Sequence, residues 1–124
     1  MRRLLLTLVI LTLAGSGVAC ARRSGATSPE PVEAPVLSAE VSRDDRAVVL
    51  TVGGDPCSTV RKTEVKQQDS DVVVAVYLAG PETPRPGCEA MTATTYEVPI
   101  RLDKALGDRR IVTRAGSAVV TRRA

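Results

Sequence analysis

From Val36 onward apolar and polar residues alternate with a period of two, and no stretch carries a helical period. Leu37, Ala39 and Val41 alternate with Ser38, Glu40 and Ser42. Arg43-Asp44-Asp45-Arg46 turns the chain, and Val48, Leu50 and Val52 alternate on the return. This is a β-hairpin by pattern and turn chemistry. Gly53-Gly54-Asp55-Pro56 is expected to break the strand just before Cys57. A long polar strand follows to about Gln68, and with only Val60 and Val65 apolar it fits a sheet edge or a face open to water. Asp69-Ser70 leads into the most apolar run, Val72 to Leu78, which is expected at the centre with both faces available for burial. Gly80 to Gly87, with Pro81, Pro84 and Pro86, reads as a loop ending at Cys88. Tyr96, Val98, Ile100 and Leu102 mark another strand, in which Pro99 removes one ladder donor and favours an edge or a bulge. Short strands are expected over 110–113 and 118–121, around the turn Arg114-Ala115-Gly116-Ser117. The fold class that follows is all-β: a small antiparallel β-sandwich of immunoglobulin-like type with about seven strands. The true immunoglobulin signature is missing, because no Trp stands between the cysteines.

What the chain lacks narrows its chemistry. With 124 residues there is room for one domain, and there is no His, Phe or Trp. Ser-His-Asp and Cys-His catalysis, His-ligated metal and an imidazole switch near neutral pH are therefore excluded. Tyr77 and Tyr96 alone offer rings for stacking bases or sugars.

The net charge of +3 is unevenly distributed. Arg2, Arg3, Arg22 and Arg23 precede every acidic residue. Residues 30–100 hold 6 basic and 12 acidic side chains, and residues 101–124 hold 7 basic and 2 acidic ones. Nucleic-acid binding needs positive charge gathered on a folded face, and here much of the excess lies before the domain. No nucleic-acid partner is expected, and the basic end is expected to pair across the fold with the acidic strands.

Residues 1–19 have the parts of a secretory signal: Arg2 and Arg3, the apolar run from Leu4 to Ala14, then small residues. Leu4 to Ala19 is 16 residues, short of the roughly 20 that a membrane-spanning helix needs. Gly17-Val18-Ala19-Cys20 resembles the lipobox of bacterial lipoproteins, with Gly17 standing where Leu or another larger apolar residue is usual. The resemblance implies that Cys20 becomes a diacylglyceryl thioether and the first residue of the mature chain. Two acyl chains suffice for stable attachment, and Arg22 and Arg23 would then lie at the headgroups. The expected place is the extracytoplasmic face of the cell membrane. Ordinary cleavage after Ala21 would instead discard Cys20 and give a secreted protein, and an uncleaved signal would act as an anchor.

Once Cys20 is lipidated or removed, Cys57 and Cys88 remain as a pair, and an exported chain meets the oxidising conditions that join them. Redox activity lacks the Cys-x-x-Cys spacing, and a metal site on these thiols would depend on carboxylates. No cofactor or metal is expected. Residues 20–35 form the lipidated cysteine and a tether; Pro29, Pro31 and Pro35 keep its residues 24–35 extended, and these twelve reach at most about 37 Å. The domain is expected over 36–124.

Four features offer chemistry. Gly53-Gly54-Asp55 has glycines for an anion but lacks the Lys, the Ser/Thr and the helix of a phosphate loop. Asp69 and Asp71 fall short of a calcium loop. In Leu106-Gly107-Asp108-Arg109, Leu106 is expected to plug the sandwich, Gly107 to take a left-handed turn, and Asp108 or Arg109 to hold backbone or a charge partner. The hydroxyls of Met91-Thr92-Ala93-Thr94-Thr95 would need Lys62, Lys66, Lys104 or a carboxylate as base, and no spacing recommends one.

Gly-Gly-Asp-Pro-Cys57, the valine-rich strand, Cys88, and the run from Val98 through Leu102 and Leu106-Gly107-Asp108-Arg109 to Gly116 resemble a family of small uncharacterised lipoproteins of high-GC Gram-positive bacteria. Thr113 stands where Asp is expected. The resemblance implies a cell-envelope β-domain and brings no activity. The function expected is a non-catalytic binding or structural role at the envelope, with a protein or envelope component as partner. The alternative is an enzyme or redox protein using carboxylates, Lys or the Cys57 and Cys88 pair.

Overall fold

A computed structural model describes residues 29–83, 85–88 and 93–124, so Cys20 and the lipobox-like run lie outside the described residues. The strands are β1 (Val32–Ala34), β2 (Val36–Val41), β3 (Ala47–Gly54), β4 (Thr59–Gln67), β5 (Asp71–Ala79), β6 (Thr94–Arg101), β7 (Arg110–Thr113) and β8 (Thr121–Arg123). They make two four-stranded sheets. In the first, β5 is central, with β4 on one side and β1 and β7 paired with different stretches of the other. The second runs β6-β3-β2-β8.

The two-sheet, all-β sandwich expected from the sequence is present, with eight strands among the described residues rather than about seven. Its core is mostly aliphatic: Val41, Val48, Leu50, Val52, Val72, Val74, Val76 and Ile111 are fully buried. β-branched side chains suit this geometry, since each fills the pleated inner face with little rotamer freedom to lose. Burying each contributes about 1.5–3 kcal/mol relative to exposure.

The β2–β3 hairpin, the edge position of β4 and the central β5 follow the sequence pattern, except that a register shift between Val36 and Ser38 leaves Leu37 exposed instead of on the face of Ala39 and Val41. Pro99 also falls on an edge strand, β6, opposite Val49. Other expectations are corrected. The stretch assigned to the tether contains β1, which pairs Val32 with Leu78 and buries Ala34, so the fold reaches back past Val36. Gly53 and Gly54 do not break β3. They pair with Thr95 and Thr94, and the Gly53 N–H donates to the Pro35 carbonyl, so the turn begins at Asp55. Two of the six ladders among the described residues are parallel, β2 with β8 and β5 with β7. The last strand lies at Thr121–Arg123 rather than 118–121, because Ala118 forms only an isolated bridge to Val112 before the chain crosses to the other sheet. On β5 one face is buried throughout, while Val73 and Tyr77 on the outer face are half-buried.

Candidate functional site

The end of the sandwich where β3 stops and β4 starts is built around Tyr96. Its hydroxyl donates to the Asp55 carbonyl at 2.6 Å and accepts from the Ser58 N–H at 3.0 Å, so a β6 side chain fixes the turn carrying Cys57. Cys57, in the left-handed region at φ 63°, is bonded to Cys88, tying this turn to the loop after β5. Gly54 lies so close to the ring that a Cβ there would sit 3.2 Å from Tyr96 Cε2 and 2.6 Å from Leu78 Cδ1. A groove of about 670 Å³ opens at this end between the start of β1, the Gly54–Pro56 corner and Cys88. Its polar margin is acidic, from Glu30, Glu33 and Asp55.

The opposite end holds Leu106-Gly107-Asp108-Arg109. Leu106 is buried, Gly107 has φ 59°, and Leu106 N–H donates to the Asp45 carbonyl at 2.7 Å. The Arg109 guanidinium donates to the carbonyls of Leu106, Gln68, Lys104 and Ala105 at 2.9–3.3 Å. A planar donor fork with four acceptors organises a turn, and it leaves little free to hold an anion. This run therefore serves the fold, as its residues suggested. A smaller recess of about 340 Å³ beside it is lined by Asp69, Asp103 and Lys104, among others.

A third arrangement, unmarked in the sequence, lies on the outer face of the β5 sheet. The Arg114 guanidinium donates to the Tyr77 hydroxyl at 2.5 Å and lies 3.9 Å from Glu33, while Lys62 sits over the Tyr77 ring and 2.6 Å from Glu64. The hydrogen bond between Lys62 and Glu64 holds the carboxyl below its usual range and the ammonium above its own. The bond to Tyr77 likewise raises Arg114. These shifts all favour the charged forms, which suits ion pairing and works against proton transfer near neutral pH. Residues this far apart in sequence meet only through the β1, β4 and β7 ladders onto β5, so no local spacing marks them.

The remaining candidates do not converge. Asp71 lies 3.5 Å from Arg110 Nε, although its Oδ1 is sealed from solvent without a well-aligned hydrogen bond. Asp69 is apart on the turn. Thr94 and Thr95 open β6 opposite the two glycines, and among the described residues neither hydroxyl is hydrogen-bonded to a lysine or a carboxylate. Met91 and Thr92 lie outside the described residues. Among the described residues no group of three or more metal-ligating side chains is assembled.

No family model, curated protein or solved structure matches the chain.

The charge pattern does find its partners. Of the five ion pairs among the described residues, four join a C-terminal arginine to an acidic residue of the first portion: Arg110 to Asp71, Arg114 to Glu33, Arg122 to Glu40 and Arg123 to Asp45. The basic end is thus largely spent within the fold.

Proposed function

We propose that the chain is a lipid-anchored extracytoplasmic domain with a non-catalytic binding or structural role at the cell envelope. The observation that carries this reading is the Cys57–Cys88 bond. It uses two of the three cysteines, leaving Cys20, the last residue of the lipobox-like run, for lipid. A disulfide also suits an exported chain. The non-catalytic part is supported by a core filled with aliphatic side chains and by surface charges that neutralise one another in pairs.

The position of β1 shortens the tether. Eleven residues separate Cys20 from Val32, a reach of about 34 Å when extended. The chain enters the sandwich at the disulfide end, so that end and its groove would face the lipid. Their acidic margin disfavours close contact with anionic headgroups. Cell fractionation with a Cys20→Ala variant tests the anchor. Release or blocked maturation is expected; unchanged retention of full-length precursor would show an uncleaved anchor, and normal processing a soluble secreted protein.

A further inference from the structure

We infer that the open edge of β4 is the interaction surface of this domain and that it takes an extended acidic segment of another protein, added as a strand. This rests on the binding role proposed above and names its site.

Four sheet boundaries are open to strand addition, and they differ. β1 and β8 offer three residues each, and β7 is bridged at Val112 by Ala118. β6 carries Pro99, which has no N–H to donate, and Glu97. β4 runs for nine residues without a proline and, among the described residues, pairs on one side only, with β5. An added strand gains main-chain hydrogen bonds along such an edge, and its alternate side chains set specificity.

The charge on β4 selects the partner. Arg61, Lys62 and Lys66 face a single carboxylate, Glu64, on this strand. Lys62 is paired with Glu64, whereas Arg61 and Lys66 are exposed and form no ion pair among the described residues. They stand apart from the C-terminal arginines, which are matched within the fold. The ladder sets Lys62, Glu64 and Lys66 opposite Tyr77, Ala75 and Val73 on the outer face, and a register shift between Val60 and Lys62 leaves Arg61 as the extra residue of a bulge. Cations and bulges on an edge also discourage sheet-to-sheet aggregation. Both effects come from the same charges: two β4 strands side by side would bring six cations against two carboxylates, so a second copy is disfavoured where an acidic strand is attracted. The complementary strand has carboxylates at positions i and i+4, to meet Lys62 and Lys66, with a residue other than Asp or Glu between them opposite Glu64.

The test uses the full chain in lipid nanodiscs and two synthetic Thr/Val peptides of equal composition, one with Glu at i and i+4, the other with Glu at i and i+3. The first should bind, shifting β4 amide resonances, and Arg61→Glu with Lys66→Glu should weaken it at least about ten-fold. Equal binding of the two peptides, indifference to the charge reversal, or shifts on β6 or β8 instead would overturn the assignment. A photocrosslinking residue at Lys66 and, separately, at Glu97 in intact cells separates the two levels. Adducts from Glu97 alone overturn the edge and leave the binding role standing; adducts from neither, with no peptide binding, remove both.

Discussion

Asp45 and Arg123, 78 residues apart in sequence, form an ion pair that ties the β2–β3 turn to the last strand. The other carboxylate oxygen accepts the Gly107 N–H at 2.7 Å, and Arg123 also donates to the Gly107 carbonyl at 2.8 Å. Asp45 itself has φ 62°, a region that Asn tolerates better than Ala. Asp45→Ala should therefore cost about 2 kcal/mol, most of it from the lost charge-assisted bond and the left-handed backbone, with little from the half-exposed pair. Asp45→Asn should cost about half as much. Urea denaturation of both variants checks the order; equal losses would show that the turn geometry contributes nothing.

Gly54 and Tyr96 make a second, independent test. A Cβ on Gly54 meets the tip of Leu78, which can turn aside, and the Tyr96 ring, which two hydrogen bonds hold in place. Gly54→Ala should destabilise by about 1–3 kcal/mol through overpacking. Gly80→Ala, where nothing lies within 4 Å, should be near neutral. Thermal melts of the two proteins side by side decide the matter.

The parts of the fold legible in the sequence are those set by near neighbours. The hairpin from Ala39 to Val52 needs only alternation and a four-residue turn, and the left-handed Gly107 and the plug at Leu106 follow from their own chemistry. β1 and β8 are different. Each is three residues long, and each is a strand only because β5 offers Leu78 to Val32 and β2 offers Ala39 to Thr121. A parallel ladder such as the second of these has no turn to announce it. The same distance hides the Tyr77 cluster, whose members come from four separate segments. Gly53-Gly54 departs from expectation for the opposite reason: glycine is a turn signal locally, but Gly54 is required by close packing inside a strand.

Asp44 gives a pH prediction. The Ser42 hydroxyl, and then the Arg46 N–H, hold its carboxyl below the ordinary carboxylate range. A carboxyl lowered in the folded state contributes stability that is present above its unfolded value, about pH 4, and is lost as pH falls through the folded value. Carboxyl-carbon NMR titration should place Asp44 below the ordinary aspartate range, and Ser42→Ala should return it toward that range. An unmoved titration in that variant would remove the hydroxyl as the cause.

Cys57, Cys88 and Tyr96 hold the same turn, and this sets how their losses combine. The disulfide closes a 31-residue separation, for which the chain-entropy estimate is about 3–4 kcal/mol, so Cys57→Ser with Cys88→Ser should cost close to that. Tyr96→Phe keeps the ring packed against the core and removes only the bonds to Asp55 and Ser58, at about 1–2 kcal/mol. Without the disulfide the turn is freer to leave the ring, so the hydroxyl then has less geometry to stabilise. The double change should cost less than the sum of the two by at least about 0.5 kcal/mol. A denaturation cycle over the four proteins measures this coupling, and strict additivity would mean that Tyr96 and the disulfide restrain separate parts of the loop.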